Sequence, residues 1–164
     1  MDHHRRRRPD RRNREAENRC LLRFRTSLDA TVVIAAVDDD DEDHDTGLQI
    51  LQAVDDGELP RGIVVSDALQ ESLNFVHERA GYTMAIDLVD RFVQGTHFEI
   101  PYNPQKNYGT ARSLFRADGR LSFGDAMQVA FMQSADIEYI YSFDDDFDGV
   151  DGIKRLNAAV NPYN

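Results

Sequence analysis

Residues 27–37 read SLDATVVIAAV and set one carboxylate, Asp29, into an otherwise apolar run. An unpaired charge in such surroundings is costly, so we expect Asp29 to serve a purpose there. The residues before it, Phe24 to Leu28, predict a short β-strand. The β-branched residues 31–34 favour more strand by propensity, whereas a buried helix fits the apolar run equally well, and periodicity does not separate the two.

Three more acidic residues stand where an apolar run gives way to a helix start or a turn. They are Glu71 in VVSDALQESLNF, Asp125 in LSFGDAMQVAF and Asp144 in YIYSFDDDFDGV. Such places are where α/β folds gather functional side chains. Four carboxylates held together repel one another by about 4 kcal/mol per close pair at an effective dielectric of about 20, so a cluster is stable only with bound cations or protons. The pattern therefore predicts a divalent-metal site.

Two of these acids also have ordinary structural explanations. Asp125 follows Ser122 by three residues, and SFGD is the pattern of a capping box, in which the acid accepts a backbone N–H bond and is stabilised by the helix dipole. Glu71 falls one turn into a predicted helix, where an exposed glutamate is common. Each acid alone is weak support for a site, so the prediction depends on all four together.

The loop that contains Asp144 has two interpretations. SFDDDFDGVDG is either an acidic turn or a calcium loop of the EF-hand kind, which requires Gly at the sixth position and Glu at the twelfth. Counted from Asp144, Gly149 is sixth but Arg155 is twelfth. This departure disfavours a calcium-binding protein.

Charge divides the chain into two parts. Residues 1–25 hold ten arginines and four acidic residues, a formal balance of +6, and the whole-chain charge of −11 leaves −17 for residues 26–164. The first part has the pattern of a disordered tail, and a wrongly assigned start explains it equally well. The second part is expected to be a single domain, because 164 residues with 41% hydrophobic content suit one core.

Composition also indicates where the protein works. The chain has 22 aspartates but only two lysines, which we expect of a protein from a halophile, because concentrated salt screens the repulsion between the acids. It contains no apolar stretch near 18 residues and no secretory signal, so we expect a cytoplasmic protein without a membrane span. The single cysteine, Cys20, fits a reducing compartment and has no predicted role.

Predicted strands and helices alternate along the rest of the chain. After Phe24–Leu28 the strands are GIVVS, HFEIP, IEYIYSF and the short IKRLN. The helices are TGLQILQAVDDG, DALQESLNFVHERAG with Ser66 or Asp67 as its N-cap, YTMAIDLVDRFVQG, NPQKNYGTARSLFRADG and SFGDAMQVAFMQSA. The alternation predicts an α/β fold of three layers, α/β/α, with a central parallel sheet of four to five strands.

The order and spacing of the four acidic segments resemble the PIN domain, and within it the VapC-type toxins of toxin–antitoxin pairs, over residues 28–156. SLDATVVIA is similar to the family's opening strand with its first Asp, VVSDALQE to the segment with its Glu, LSFGDAMQVA to the helix start with its third acid, and SFDDDF to its closing Thr/Ser-x-Asp-x-Asp-Phe element. The resemblance implies that TVVIAAV belongs largely to a first helix. It also implies a metal-dependent nuclease with these catalytic and metal-binding residues: Asp29, Glu71, Asp125 and Asp144, with Asp146 as a further metal ligand and Ser142 in support.

In one place the chain departs from the family. Many members have a hydroxyl residue directly after the first Asp, whereas this chain has Ala30 and then Thr31, which makes Thr31 the candidate for a supporting bond to Asp29. The resemblance further implies a Mg²⁺ or Mn²⁺ cofactor, RNA as substrate, a small antitoxin partner and a homodimer. Two alternatives stay open: a solitary PIN ribonuclease in RNA processing or decay, and a catalytically idle PIN scaffold.

An acidic body that binds RNA needs a local basic surface. Arg112 and Arg116 lie four residues apart on the helix before Asp125, with Lys106 and Arg120 nearby. Residues at this spacing share a helix face and can receive phosphates together. We therefore predict that Arg112 and Arg116 bind substrate, although surface arginines also serve solubility alone.

Overall fold

A computed structural model describes residues 24–164, so most of the predicted basic tail, together with Cys20, lies outside the described residues. Within that range the sheet has five strands, all parallel, in the order β3-β2-β1-β4-β5. The predicted parallel sheet of four to five strands is confirmed. Their bounds are β1 Arg25–Leu28, β2 Arg61–Ile63, β3 Phe98–Glu99, β4 Tyr139–Tyr141 and β5 Lys154–Leu156.

Helices cover both faces of the sheet. Alternate side chains of a strand point to opposite faces, and in β4 Ile140 and Tyr141 accordingly enter two different apolar clusters. The cluster around Tyr141 is built with α1 to α4, and the cluster around Ile140 with α6, which packs against α5. The three layers predicted from the sequence are confirmed. The helices are α1 Ala30–Val37, α2 His44–Asp55, α3 Ser66–Ala80, α4 Tyr82–Gln94, α5 Asn107–Ala117 and α6 Phe123–Ser134.

The apolar run after Asp29 forms helix α1. The strand predicted from its β-branched residues is therefore wrong, and the helix that the family resemblance implies is confirmed. Five of its eight residues are buried. A helix buried on most sides shows no polar stripe, which is why periodicity could not identify it. Helix α2 crosses it closely at Gly47, where a Cβ atom would lie 2.9 Å from the Val32 carbonyl oxygen.

The start of helix α3 differs from the prediction. Neither Ser66 nor Asp67 is its N-cap, since the cap position is Val65 and no side chain caps the first turn. The Ser66 N–H instead donates to the Pro101 carbonyl at 3.0 Å, and the Ser66 hydroxyl accepts from the Asn103 N–H at 3.3 Å. The loop after β3 therefore anchors this helix start, a long-range contact that local sequence does not show.

Strand order determines where a site can form. From β1 the chain proceeds outward through β2 and β3 and then returns to the other side of β1 with β4. The order of the strands therefore reverses between β1 and β4, and parallel sheets bind ligands at the carboxyl ends of strands at such a switch point. None of the helices in residues 24–164 has the length and apolar character needed to cross a membrane.

Candidate functional site

The carboxyl ends of β1 and β4 bring Asp29 and Ser142 side by side. Asp29 directly follows β1, and Ser142 directly follows β4. The Asp29 N–H donates to the Tyr141 carbonyl at 3.0 Å, which extends the pairing of the two strands up to the site. The Asp29 side chain is buried, with 3% of its surface exposed. Asp29, whose charge is costly in an apolar run, thus lies at the switch point of the sheet.

Two hydroxyl groups fix the Asp29 carboxylate. Its Oδ2 atom accepts hydrogen bonds from Thr31 Oγ1 at 2.6 Å and from Ser142 Oγ at 2.7 Å. Each hydroxyl accepts a backbone N–H in turn, Thr31 from Phe143 at 3.1 Å and Ser142 from Asp144 at 3.0 Å. A hydroxyl that accepts from the backbone directs its own proton elsewhere, so both protons are available to Asp29. Thr31, two residues after Asp29, therefore makes a supporting bond to the Asp29 carboxylate.

Asp125 is held in the first turn of α6. Its Oδ2 accepts the Ser122 N–H at 3.3 Å, and Ser122 Oγ accepts the Asp125 N–H at 3.1 Å, which confirms the predicted capping box. Burial raises the pKa of Asp125 to about 6, the hydrogen bond to Ser122 opposes this, and the charges of Asp29 and Asp144 raise it further. Capping alone does not account for such a pKa, because the box stabilises the ionised form.

Glu71 reaches the same place from α3, although the residue as a whole is exposed. Loss of solvent raises the pKa of Glu71, and the charges of Asp125 and Asp144 add to the effect. Burial likewise raises the pKa of Asp29 against the two hydroxyl bonds, and the charge of Glu71 contributes to it. Mutual repulsion therefore links all four predicted acids, which shows that four separate segments bring them together.

Asp144 begins a short acidic turn. Its Oδ1 accepts the Asp146 N–H at 2.9 Å and caps the 3₁₀ turn Asp145–Phe147. One carboxylate oxygen from each of Asp144, Asp145 and Asp146 lies within 4.8 Å of the others, and within residues 24–164 this is the one set of three potential metal ligands so close. Partial loss of solvent, followed by the charges of Asp144 and Asp145, raises the pKa of Asp146.

The donor set fits a hard divalent cation. All the converging groups are carboxylates, and oxygen-only sites suit Mg²⁺ and Mn²⁺. Burial first, and then the charges of neighbouring acids, raise the pKa values of Asp29, Glu71 and Asp125. A bound cation would supply positive charge and relieve the repulsion. Asp29 and Asp125, at the ends of different elements, are the predicted ligands, whereas the one set of three donors within 4.8 Å of one another in residues 24–164 is Asp144, Asp145 and Asp146.

Two polar side chains that were not predicted from the sequence help to organise the site. The buried Gln128 donates from Nε2 to Ser27 Oγ at 3.0 Å and to the Leu28 carbonyl at 3.2 Å, so it ties α6 to the end of β1. It follows Asp125 by three residues, and a glutamine amid the apolar residues of AMQVAF was the signal that could have revealed it.

The second polar side chain is that of Arg155 in β5. It also bears on the alternative that residues 144–155 form a calcium-binding loop. Its guanidinium contacts both carboxylate oxygens of Asp148 at 2.8 Å and the Ser142 carbonyl at 3.3 Å. Position twelve of the proposed calcium loop is therefore a paired cation in a strand, where an EF-hand has a glutamate that binds the ion.

The predicted basic strip divides into two parts. Arg112 and Arg116 are exposed on α5 and line a shallow surface pocket with Gly109 and Ser113. Arg120 instead pairs with Asp118 at 2.9 Å, outside α5. Helix α5 packs against α6, whose first turn carries Asp125, so the two arginines lie on an element adjoining the acidic cluster.

Fold and site together define an α/β protein with acidic side chains gathered at the switch point of a parallel sheet. The chain belongs to the PIN domain family, whose sequence profile matches residues 27–153. A comparison with curated protein sequences gives no match.

Solved structures share the fold. The toxin VapC20 of Mycobacterium tuberculosis, described as cleaving the sarcin–ricin loop, is 22% identical with a TM-score of 0.68 and covers 84% of this chain and 99% of its own. VapBC2 of Rickettsia felis, bound to a DNA fragment from its promoter, is 14% identical with a TM-score of 0.61 and coverage of 81% and 98%. A toxin–antitoxin complex of Klebsiella pneumoniae is 15% identical with a TM-score of 0.56 and coverage of 79% and 95%.

Proposed function

We propose that this protein is a metal-dependent endoribonuclease and the toxin of a toxin–antitoxin pair. The observation that carries the proposal is the convergence of acids from four separate segments, where burial and the charges of neighbouring acids raise the pKa values of Asp29, Glu71 and Asp125. Membership of the PIN family supports a nuclease, and the toxins of the same fold support this particular role. The catalytic acids proposed are Asp29, Glu71, Asp125 and Asp144.

The roles of the acids follow from how firmly each is held. Asp29 and Asp125 are fixed by hydrogen bonds, and we assign them as direct metal ligands. Glu71, Asp144 and Asp146 ligate the ion or hold its waters. When bound, Mg²⁺ or Mn²⁺ supplies an activated water and stabilises charge on the leaving oxygen of the phosphodiester. The hydrogen bonds from Thr31 and Ser142 oppose the rise in the pKa of Asp29 and hold its carboxylate in one orientation.

The proposed substrate is RNA, as the resemblance to VapC-type toxins implies, and the description of VapC20 as a toxin that cleaves the sarcin–ricin loop supports it. Arg112 and Arg116 are proposed to receive its phosphates. The proposed division of the chain is a basic segment, 1–25, followed by one nuclease domain, 26–164, working in the cytoplasm of a halophile.

The groove between α3 and α4 offers a suitable surface for a partner protein. Phe75 and Met84, both partly exposed, line a groove between α3 and α4, and Asp38 to Asp40 form its rim. Arg79 is held there by ion pairs to Asp38 at 3.4 Å and to Asp40 at 3.1 Å. An antitoxin segment with apolar and cationic side chains would complement this groove. The solved antitoxin complexes of this fold support that partner, and a homodimer is the proposed assembly.

The deciding experiment is cleavage of total RNA by the purified protein with Mg²⁺ or Mn²⁺ against EDTA, in molar KCl and in dilute buffer. Asp125→Asn is compared with a matched control, Asp90→Asn, which removes an exposed carboxylate of α4. Cleavage that needs metal, is lost in Asp125→Asn and persists in Asp90→Asn is the expected result.

Other outcomes favour the alternatives. Absence of cleavage in a folded wild-type protein that binds metal would favour the idle scaffold. Cleavage by a protein whose gene has no neighbour encoding a small DNA-binding protein would favour a solitary ribonuclease. Equal cleavage by Asp125→Asn and wild type would remove the site assignment itself.

A further inference from the structure

Residues 100–117 are the longest run of the sequence without aspartate or glutamate, eighteen residues in a chain where residues 26–164 carry −17. The run spans the loop after β3 and the whole of α5, and its cations are Lys106, Arg112 and Arg116. Elsewhere the acidic surface repels an anion, whereas here the nearest charges attract it. The charge pattern therefore favours an anionic ligand on this segment.

The same run exposes large aromatic rings. Tyr108 is 57% exposed and Phe115 46% exposed, and their spacing of seven residues puts them on one face of α5. Both rings meet Phe123 edge to face, with centroid distances of 5.4 Å and 5.5 Å. Arg112 lies between them in the helix, four residues after Tyr108 and three before Phe115. Clustered apolar rings left in solvent mark a site of interaction.

This surface lies on two packed helices, one of which carries an acid of the cluster. Phe123 is the first residue of α6, and Asp125 follows it by two positions in the same turn. The loop that leads into α5 is tied to α3 and α6, because Asn103 donates to Asp67 Oδ2 at 3.2 Å and to the Met127 carbonyl at 2.8 Å. A chain held on α5 therefore lies on the helix that packs against α6, whose first turn carries Asp125.

We propose that Tyr108, Arg112, Phe115, Arg116 and Phe123 form a stacking surface for unpaired RNA beside the cleavage site. Tyr108 and Phe115 stack a splayed base, while the two guanidinium groups contact phosphates. The inference rests on the proposed nuclease function, since it assigns the kind of substrate that the site takes. Aromatic rings beside arginines are how proteins bind unpaired nucleotides, whereas the bases of a duplex are stacked on one another and cannot reach the rings.

Binding of RNA to the Asp29→Asn protein in Mg²⁺ tests the proposal, because cleavage does not then interfere. Three labelled ligands are compared by fluorescence anisotropy: a short oligoadenylate, the same backbone without bases, and an RNA duplex. Adding Tyr108→Leu and Phe115→Leu keeps apolar volume but removes the rings. We expect the affinity for oligoadenylate to fall about tenfold or more, towards that for the backbone without bases, while the affinities for the other two ligands stay the same.

Two control variants separate the contributions. Arg112→Gln with Arg116→Gln should weaken binding of all three ligands, since phosphates are common to them. Tyr82→Leu removes an aromatic ring that is 69% exposed on α4, and should change none. An equal affinity of the leucine double variant and its parent for oligoadenylate overturns the proposal.

A second result would also overturn it. If the leucine double variant turns a dimer into a monomer and keeps its affinity for RNA, the rings serve contact between two copies of the chain. The nuclease proposal is judged separately by cleavage with the wild-type protein. Base-dependent binding without cleavage would contradict the nuclease proposal and support the RNA-binding surface. Cleavage together with binding that does not depend on the rings would support the nuclease and contradict the stacking surface.

Discussion

The acidic ends of β1 and β4 and the cationic face of α5 hold charge in opposite ways. Asp29 is buried, and two hydroxyl groups fix one of its oxygens. Arg112 and Arg116 extend into solvent and make no ion pair with any residue of 24–164. Fixed groups suit chemistry, which needs reacting atoms in one geometry, whereas mobile cations suit a backbone that varies in shape.

The contrast has an energetic side as well. The acids raise one another's pKa, so the folded protein without metal carries unfavourable repulsion at neutral pH. The arginines of α5 lie four residues apart and repel only weakly across water. The charges of the acidic cluster are therefore expected to lower the free energy of unfolding, whereas the arginines of α5 should leave it almost unchanged.

The largest expected effect is on cleavage by Asp29→Asn. The amide keeps the shape and can still accept from Thr31 and Ser142, but it loses the charge that binds a cation. We expect the single-turnover cleavage rate to fall by more than about 100-fold, because loss of outer partners of a metal site alone typically costs about 10- to 100-fold. Unaltered Mg²⁺ affinity by calorimetry, together with unaltered cleavage, would exclude Asp29 as a ligand.

The next effect concerns the hydroxyl that supports Asp29. Ser142→Ala removes a donor to Asp29 Oδ2 and an acceptor for the Asp144 N–H. We expect metal affinity to fall about tenfold, and the free energy of unfolding to fall by about 1–3 kcal/mol because buried polar groups lose partners. Thr96→Ala, an exposed hydroxyl in the loop before β3, is the control. If the two variants unfold at the same denaturant concentration, the network does not stabilise the site.

A third effect is a gain in stability. The folded-state pKa of Asp125 is about 6 and its usual value is 3.8, so the folded protein binds more protons than the unfolded chain between about pH 4 and about pH 6. Stability therefore falls as the pH rises through that window, and the loss is complete above it. In EDTA, Asp125→Asn should unfold with a free energy about 1–2 kcal/mol higher at about pH 7.5, allowing for screening by water.

Urea unfolding across pH provides the measurement for Asp125→Asn. The advantage of the variant should disappear only well below pH 3.8, the usual pKa of the group, where the wild-type carboxyl is protonated in both states. Mg²⁺ should reverse the order at neutral pH, since a ligand that binds only the folded wild type stabilises it. An advantage that does not change with pH would mean that repulsion among the acids is not its cause.

Much of this arrangement follows from sequence, because the acids stand at ends of elements and those ends meet at one edge of a parallel sheet. Asp29, Asp125 and the capping box with Ser122 could be recognised in that way. Helix α1 could not be recognised from propensity, because burial on most sides overrides the preference of β-branched residues for strands.

Contacts between distant segments were the part that local sequence could not show. Gln128 bonds to residues a hundred positions away, and Arg155 pairs with Asp148 only once β5 has joined the sheet. The start of α3 depends on the loop after β3 in the same way. Such partners become visible only when strand order is known, so a sequence predicts the acids of the site better than the groups that hold them.

The smallest expected effect concerns the two exposed arginines of α5. Each of Arg112→Gln and Arg116→Gln should remove one phosphate contact, and the slope of log affinity against log salt for single-stranded RNA should become shallower by about 0.7 per contact. Stability should hardly change, since neither guanidinium is part of the packed core. A slope equal to that of the wild type would mean that the phosphates lie elsewhere. A slope that changes together with a fall in stability would mean that these arginines are fixed groups like the acids, and the contrast between the two surfaces would then disappear.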